Sequence, residues 1–522
     1  MKLIIFLIAF ISITYTLSAQ SFTRTELPTE VITPWEIVYG PDGYLWITEA
    51  GGTVSRINPE TGEKKYTYTA PDYYAGSPLE QLPTCFTPNI GAGTLGMDLD
   101  PNFMRANTAY IYYVYSYNSG SETKPATKFK IVRLNWDWTT ESVTGTTNLV
   151  TGISTGYDHL GGRLKAIVRN GTPYLFLSVG DHGISETNSP DCYVPPSSNP
   201  NYQAQNPNTD NGKIHRFNMN GSIPSDNPIK GNSFYTRGHR NPQGLMYIPN
   251  LDLLFDVEHG DRTDDEINLL QAGMNYGWKW VRGYHADNNY PGESEFIANY
   301  VPNPLIAGDR LVEAFYSWCD VPQPTIDNYL DWCTVAPSDG IYYNASGIPE
   351  WSNSLLVVSL KNGSSTDNQV HIFNLTPDGK HLVPSTPQKP NPSTMFGADQ
   401  GMNGRLRDIT YSSDGKKIFL INNGGVGITD KITVYTVLST STKETGENFS
   451  IQFLPNPTIE VINIQSSTVI MSMEIYSISG KLMRLEKGPL SQIQIADLSA
   501  GTYLCKLKTA TGLQISKMFT KL

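Results

Sequence analysis

The residues best suited to chemistry lie between Gly238 and Trp278, where three short motifs follow one another: GHRNPQG, EHGDRTDDEINLL and GMNYGW. Arg240 offers a planar fork of donors that suits a carboxylate or a flat carbonyl ligand, and Asn241 can both donate and accept. The acidic run that follows is made up of Asp261, Asp264, Asp265 and Glu266. Dense oxygen ligands suit calcium better than zinc. The stretch predicts a site for an anionic ligand and a hard cation, with a solvated acidic loop as an equal alternative.

A possible base lies in GYDHLGGRL, where Asp158 and His159 precede a double glycine. Histidine is the natural base near neutral pH, and an adjoining carboxylate can orient it. Asp181 ends the apolar strand that leads into SVGDHG. Each residue also has an ordinary interpretation, because His159 could be a structural hydrogen-bonding histidine and Asp181 a turn-forming aspartate.

Three further cations follow in later loops. Lys361 comes after an apolar strand in SLKNG, and Arg405 and Arg407 are two residues apart in GRLRDI. In an extended segment this spacing places both guanidinium groups on one face, where they suit a polycarboxylate. A pair of surface salt bridges is the alternative, and it is less attractive beside Arg240.

These loops need a scaffold, and a recurring unit of a turn followed by an apolar strand indicates one. The six units begin at Gly40, Asp100, Arg169, Ile248, Gly347 and Ser412. Little helical periodicity and many turns favour an all-β fold, here a six-bladed β-propeller over residues 20–438 with its functional loops at one end. Seven or eight blades remain open if residues 280–345 hide another.

The beginning of the chain is typical of a secretory signal peptide over residues 1–19, with Lys2, an apolar run and small residues at its end. Export permits disulfides. Cys319 and Cys333 flank a short loop and are the preferred pair, Cys85 with Cys192 is a weaker one, and Cys505 is expected to be buried. No later segment is apolar enough to span a membrane.

The formal net charge of −11 argues against nucleic acid as a partner, because phosphates require a basic face. Acidic balance is also ordinary for an exported protein. Composition therefore excludes one class of partner without identifying another.

A polar linker over residues 439–449 separates the propeller from a tail at 450–522, which we expect to form a small β-sandwich. The tail contains PNP, IYSISGK, LSAGTY and a basic C-terminus, and it resembles the C-terminal sorting domain of the type IX secretion system. That resemblance implies the secretion machinery as a partner and a secreted or cell-surface location. A carbohydrate-binding or adhesive module is the alternative.

The motifs named above, together with WCTVAPS and NGSIPSDNP, occur in an order that resembles the soluble quinoprotein glucose and aldose sugar dehydrogenases. The resemblance runs from about Thr33 to about Val437. It implies a six-bladed propeller that holds pyrroloquinoline quinone (PQQ) and calcium at one end and oxidises an aldose to its lactone. Electrons would then pass to a separate acceptor.

The resemblance also implies roles for individual residues. His159 would be the base and Asp181 its orienting partner, with Arg240 completing the catalytic set. The implied PQQ contacts are Arg240, Asn241, Thr334, Lys361, Arg405 and Arg407. The implied calcium positions are Gly260 and Asp261 for the cofactor ion, and Asp265, Glu266 and Tyr276 for a second ion. The implied sugar contacts are Asp158, Tyr329 and Trp332.

Three departures from the family pattern bear on activity. Gly91 stands where glucose-oxidising members have glutamine, Asp261 replaces a proline, and His182 replaces a polar amide. Two other functions therefore stay open: a non-catalytic propeller that binds glycans or a protein, and a calcium-dependent lactonase or esterase. A hydrolase would need no cations to hold the three carboxylates of PQQ. Neutralising Arg405 and Arg407 would therefore abolish cofactor binding in a dehydrogenase but would affect a hydrolase little.

Overall fold

A computed structural model describes most of the chain, and it divides into two compact units at residues 1–438 and 439–522. The described residues are 21–76, 93–104, 108–121, 126–156, 159–183, 203–322, 332–361, 366–387, 389–424, 427–438, 451–454, 456–466, 469–477, 481–509 and 514–522. The predicted signal peptide and the linker lie outside them.

The described part of the first unit contains six antiparallel sheets of four strands each. The first three sheets are β2 to β5 (Ile37–Tyr39, Leu45–Glu49, Thr53–Ile57, Lys64–Thr69), β6 to β9 (Thr94–Leu99, Thr108–Asn118, Thr127–Asp137, Ser142–Ile153) and β10 to β13 (Gly161–Arg169, Thr172–Val179, Lys213–Asn218, Phe234–Arg237). The next two are β14 to β17 (Asn241–Ile248, Leu253–His259, Asp265–Leu270, Tyr316–Trp318) and β18 to β21 (Pro337–Tyr343, Ser354–Ser359, Val370–Asn374, Ser393–Met395). The sixth joins β22 to β24 (Leu406–Tyr411, Lys417–Asn422, Lys431–Val437) to the N-terminal strand β1 (Phe22–Glu26).

The recurring unit of the sequence connects the first and second strands in each of these six sheets. In the first sheet, the Gly40 N–H donates to the Tyr44 carbonyl and the Gly43 N–H donates to the Gly40 carbonyl, which closes a tight turn. Gly43 has a φ of +78°, a conformation that glycine adopts without steric cost. Apolar residues then enter the second strand, which is buried along its whole length at Leu45–Glu49.

The hydrophobic core consists of layers between consecutive sheets. Trp46 of the first sheet packs edge-on against Trp136 of the second, with ring centroids 4.9 Å apart. Similar layers join the second to the third sheet and so on through the sixth. A further layer joins the sixth sheet to the first, through Phe419 and Leu45. The first strands contact one another in the same order, and β22 contacts β2.

A buried ion network ties these first strands together. Arg163 of β10 is fully buried, and its guanidinium contacts the carboxylates of Asp339 in β18, Asp408 in β22 and Glu36, which directly precedes β2. Lys165 Nζ lies 3.1 Å from Glu36 Oε1. Buried charges persist only when they are paired, so this network favours one arrangement of the inner strands.

Helices are short and few in the part of the chain that the structure describes. Two α-helices, α1 at Glu293–Ala298 and α2 at Gln400–Asn403, and two 3-10 turns at Pro349–Trp351 and Gly397–Asp399 lie between strands. The described residues of 280–345 hold α1, β17 and β18, with no additional sheet. No described helix is long and apolar enough to cross a membrane.

The second unit is also built of strands and has its own core. One sheet contains β25, β26 and β29 (Ile451–Leu454, Val461–Ser466, Gln492–Gln494), and the other contains β27, β28, β30 and β31 (Ile470–Ser477, Leu482–Leu490, Gly501–Thr509, Gln514–Lys521). Ile462, Met473, Ile475 and Leu507 are among the residues of the core. Cys505 is buried there, as the sequence predicts.

Candidate active site

A cavity of about 450 Å³ lies where the first strands of several sheets begin and the second strands end. Because neighbouring strands are antiparallel, these two sets of termini meet at the same end of each sheet. Arg240 directly precedes β14 and His159 lies two residues before β10, whereas Gly260 and Lys361 follow β15 and β19. The cavity volume falls in the usual range for ligand sites, about 300–1,000 Å³.

Most of the residues that the motifs single out line this cavity. The lining includes His159, Arg240, Asn241, Gly260, Asp261, Asp265, Trp332, Thr334, Lys361, Arg405 and Arg407. Asp158, Tyr329 and Gly91 lie outside the described residues, so their predicted roles stay predictions. Glu266 and Tyr276 line a smaller neighbouring cavity instead.

His159 and Asp181 form a buried pair at the edge of the cavity. His159 Nδ1 lies 2.7 Å from Asp181 Oδ1, and Asp181 is fully buried. The Gly183 N–H also donates to Oδ1, at 2.9 Å, and the Asp181 N–H donates to the Arg240 carbonyl, at 2.7 Å. With Nδ1 bound to the carboxylate, Nε2 is the ring nitrogen that can take a proton from a ligand.

Close backbone packing fixes the position of His159. Its φ is +47°, which non-glycine residues rarely adopt. A Cβ atom on Gly180 would lie only 1.8 Å from the His159 carbonyl oxygen, so glycine is the residue that permits this approach. His159 is therefore held by the backbone as well as by Asp181.

The cavity wall is strongly cationic, with Arg240 before β14, Lys361 after β19, and Arg405 and Arg407 at the start of β22. The Arg407 guanidinium donates to Gln243 Oε1 at 2.9 Å and lies 4.2 Å from the Trp35 ring centroid. Lys361 Nζ contacts the Trp332 carbonyl oxygen. Several fixed cations around one cavity match the charge of a ligand with several carboxylates.

A buried polar network supports Arg240. Its backbone N–H donates to Glu258 Oε2 at 2.7 Å, and its Nη1 donates to the His259 carbonyl at 3.2 Å. His239 Nδ1 lies 3.0 Å from Asp256 Oδ2 and 3.1 Å from Glu258 Oε1. Burial lowers the pKa of His239, but the two carboxylates outweigh it and raise that pKa to about 9. His239 is thus the protonated partner of this acidic pair at neutral pH.

The loop of Gly260 and Asp261 is the predicted calcium-binding edge of the cavity. The Gly260 N–H donates to Asp265 Oδ1 at 2.9 Å, and Asp261 Oδ2 lies 2.9 Å from Arg282 Nη2. The Asp261 carboxylate is therefore paired within the protein, and the residue lines the cavity. Backbone carbonyls are suitable calcium ligands, so this loop fits the cofactor ion.

Asp265, one of the residues predicted for a second ion, accepts hydrogen bonds from three backbone N–H groups. Asp265 Oδ2 accepts the backbone N–H groups of Val335 and Ala336, at 2.7 and 2.8 Å, so both oxygens of Asp265 are used by the backbone. Its carboxylate thus joins the loop of Gly260 to the segment of Val335 and Ala336. The prediction missed this contact because Val335 is 70 residues away along the chain.

Asp264 lies at the same small cavity as Glu266 and Tyr276, two of the residues predicted for the second ion. It lines the small cavity of about 10 Å³ together with Glu258, Glu266 and Tyr276. Asp264 Oδ2 is buried without a hydrogen-bond partner in the described structure. Burial raises the pKa of Asp264 to about 6, and burial together with the charge of Glu258 raises that of Glu266 well above its usual value. A bound cation would stabilise the charged form of buried carboxylates such as these.

Two further features bear on the sequence predictions. Cys319 and Cys333 form the predicted disulfide, which ends one residue after Trp332 of the cavity wall. His182 is buried 2.7 Å from Asn211 Nδ2, and burial lowers its pKa to about 3. His182 is therefore neutral at physiological pH and does not line the cavity.

Sequence reasoning missed several contributors to the site. Trp278 Nε1 donates to Asp181 Oδ2 at 2.6 Å, and Gln243 Nε2 donates to Asn241 Oδ1 at 2.7 Å. Both lie in motifs that the sequence emphasises, GMNYGW and GHRNPQG, but the motifs do not show which distant residue each contacts. Trp35 and His259 also line the cavity.

Comparisons with known proteins agree with this arrangement. Residues 31–429 match the Glucose / Sorbosone dehydrogenase family, and residues 452–521 match the Secretion system C-terminal sorting domain. Quinoprotein glucose dehydrogenase B of Acinetobacter calcoaceticus is 30% identical over 450 residues, covering 78% of this chain and 86% of the relative. An aldose sugar dehydrogenase of Escherichia coli is 27% identical over 389 residues, covering 73% and 85%.

Solved structures extend the likeness to the fold. The PQQ-bound aldose sugar dehydrogenase of Streptomyces coelicolor superimposes with a TM-score of 0.52 at 22% identity, covering 80% of this chain and 99% of that structure. The apo-form of the soluble Escherichia coli enzyme gives 0.54 at 23% identity, covering 80% and 99%. With an all-β fold, a cationic cavity and a family match across residues 31–429, the chain belongs to the glucose/sorbosone dehydrogenase family and ends in a C-terminal sorting domain.

Proposed function

We propose that this protein is an exported quinoprotein that oxidises an aldose sugar to its lactone. The observation that carries the proposal is the buried His159–Asp181 pair, 2.7 Å apart, at a cavity with four cationic side chains. When bound there, PQQ with calcium supplies an electrophilic quinone that accepts hydride. The protein supplies binding, orientation and a base.

His159 is proposed to take the proton of the anomeric hydroxyl at Nε2. The hydrogen bond between Nδ1 and Asp181 selects the tautomer with a basic Nε2 and stabilises the imidazolium that forms. General-base help of this kind contributes about 10²–10⁴-fold to a rate. Positioning by Asp181 is needed because a rotated ring would lose that contribution.

The cations are proposed to hold the cofactor without a covalent link. Arg240, Lys361, Arg405 and Arg407 would contact its carboxylates and carbonyls, with Asn241 and Thr334 completing the polar contacts. Trp332 would pack on the C–H face of the sugar, where aromatic rings exclude water. Asp158 and Tyr329 are proposed as further sugar contacts.

Calcium is proposed at two places. The carbonyls of Gly260 and Asp261 would hold the cofactor ion, and Glu266 with the Tyr276 carbonyl would hold a second, with Asp264 in place of Asp265. Hard oxygen ligands in both sets suit calcium. The sugar and the electron acceptor are not specified by these contacts.

The scaffold is proposed to be a six-bladed propeller, residues 20–438, followed by a β-sandwich at 450–522. Six sheets whose cores join in a cycle support the blade count, and two sheets around one core support the sandwich. A signal peptide at 1–19 and the sorting domain would direct the protein through the type IX system to the surface or the medium.

Reconstitution of the purified protein tests the proposed activity. With PQQ and calcium present, mono- and disaccharides should reduce an artificial dye, and His159→Gln should lower kcat at least 100-fold while PQQ still binds. His381→Gln, at an exposed position, is the matched control. Unchanged turnover in the His159 variant would reject the assigned base.

The same assay separates a dehydrogenase from a hydrolase. Replacing Arg405 and Arg407 by glutamine should raise the Kd for PQQ by at least tenfold, because two of the four cations that would bind its carboxylates are lost. A hydrolase on this scaffold would keep its activity in that variant. Sugar-independent hydrolysis of lactones by the PQQ-free protein would favour the hydrolase.

A further inference from the structure

We infer that Trp278 and Arg282 are positioning residues that join the base to the cofactor-calcium loop. This inference rests on the proposed function, because the two residues would connect the proposed base with the proposed calcium-binding loop. The connection runs from His159 through Asp181, Trp278 and Arg282 to Asp261.

Trp278 fixes the carboxylate that orients the base. Its Nε1 donates to Asp181 Oδ2 at 2.6 Å, while Asp181 Oδ1 binds His159 Nδ1 at 2.7 Å. Asp181 is fully buried, so water cannot replace either partner. The indole N–H therefore sets the rotation of the carboxylate, and the carboxylate in turn sets the plane of the imidazole.

The Trp278 ring lies close to two cations. Arg240 Cζ lies 5.5 Å and Arg282 Cζ 5.1 Å from its centroid, both within the range of cation–π attraction. The Trp278 backbone N–H also donates to the Gly238 carbonyl at 3.0 Å. A shift of either guanidinium would thus move the indole that faces Asp181.

Arg282 carries the connection to the calcium loop. Its Nη2 lies 2.9 Å from Asp261 Oδ2, and the two side chains are only 4% and 9% exposed. Its Nε and Nη1 have no hydrogen-bond partner in the described structure, and the guanidinium lies 3.7 Å from the Tyr290 ring centroid. The Asp261 carboxylate and the rings of Trp278 and Tyr290 together stabilise the buried positive charge of Arg282.

This pairing also explains how the loop tolerates aspartate where the family pattern has proline. A proline restrains the backbone through its ring, whereas Asp261 is restrained through its buried ion pair with Arg282. The carbonyls of Gly260 and Asp261 are thereby held at the cavity edge. One side chain, Arg282, restrains this loop and supports the tryptophan that orients the base.

The first test is Trp278→Phe in the full-length holoenzyme, which keeps a ring but removes the N–H donor. We expect kcat to fall about 10- to 100-fold, because a buried carboxylate loses a charge-assisted hydrogen bond, while KM and the Kd for PQQ stay within about threefold. Trp280→Phe, whose ring stacks on Phe296 instead, is the matched control and should keep wild-type kcat. Equal kcat in the Trp278 variant and the wild type would overturn the proposal.

The second test is a double-mutant cycle of Asp261→Asn, Arg282→Met and both together, measured as calcium affinity by calorimetry on the PQQ-loaded full chain. Each single change should weaken calcium about 5- to 30-fold, and the double variant should be no weaker than the worse single one. Additive losses, or affinities equal to the wild type, would overturn the connection.

A third readout separates this inference from the proposed activity. Absence of PQQ-dependent turnover in the wild type would refute the function, but the calcium-induced rise in Tm can still be measured in the same variants. Loss of that rise in both single variants supports the connection between Arg282 and the loop. An undiminished rise in either one contradicts it.

Discussion

At the scale of single residues, His239 shows how one proton can stabilise the binding site. It lies between the buried carboxylates of Asp256 and Glu258, and Glu258 in turn accepts the Arg240 N–H at 2.7 Å. The proton on His239 therefore keeps two carboxylates compatible with burial. Without this proton, the carboxylates of Asp256 and Glu258 would repel each other, and the repulsion would disturb the Glu258 carboxylate that accepts the Arg240 N–H.

This setting predicts a defined pH dependence of stability. The pKa of His239 is raised to about 9, against about 6.5 in the unfolded chain, so its contribution is fully present below pH 6.5. It is then lost as pH rises through 9, where the folded protein also releases the proton. The free energy of unfolding should fall by on the order of 2–3 kcal/mol across that window.

Chemical denaturation at pH 6, 7.5 and 9 measures this effect. His239→Gln should be less stable than the wild type at pH 6 and should show a flatter pH profile. The exposed His381→Gln variant should keep the wild-type profile. Parallel profiles for the wild type and the His239 variant would show that another group causes the dependence.

At the scale of elements, Asp265 connects two segments of the cavity wall. It begins β16, and its carboxylate accepts N–H groups from Gly260, Val335 and Ala336 at 2.7 to 2.9 Å. Three backbone donors from two loops converge on one side chain, and a neutral amide cannot accept all of them with the same strength. The strand thus fixes both loops relative to each other.

Replacing Asp265 by asparagine should therefore loosen the cofactor cavity without removing an ion ligand. We expect a loss of about 1–3 kcal/mol in stability and a higher Kd for PQQ, with the second calcium site retained. Asp226→Asn, at an ion pair whose carboxylate is 66% exposed, should change stability by at most a few tenths of a kcal/mol. Loss of the second calcium in the Asp265 variant would restore its predicted role as a ligand.

At the scale of the whole molecule, the sequence predicts local structure but not the contacts between residues that are far apart along the chain. The repeated turn and strand located the first hairpin of each of the six sheets in the first unit, because turn chemistry and alternation of apolar residues act over a few positions. The motifs likewise identified residues that line one cavity, such as Arg240 and Arg407. The contact of Trp278 with Asp181 spans 97 residues, and only the arrangement of the sheets brings the two together.

The two compact units lead to a prediction about the whole chain. Residues 439–522 have their own core, and every described residue that lines the candidate active-site cavity lies before residue 438. A chain that ends at residue 438 should keep the Tm of the first unit and its PQQ-dependent kcat within about twofold. We expect the same truncation to abolish export, because the sorting domain is the segment that the secretion machinery would recognise.

Measuring dye reduction by the truncated protein, and its distribution between cells and medium, separates these effects. A chain that keeps the tail but carries Thr502→Ala, at an exposed strand position, is the control for export. Loss of turnover on truncation would mean that residues 439–522 contribute to activity. Normal export without the tail would instead assign the secretion signal to another part of the chain.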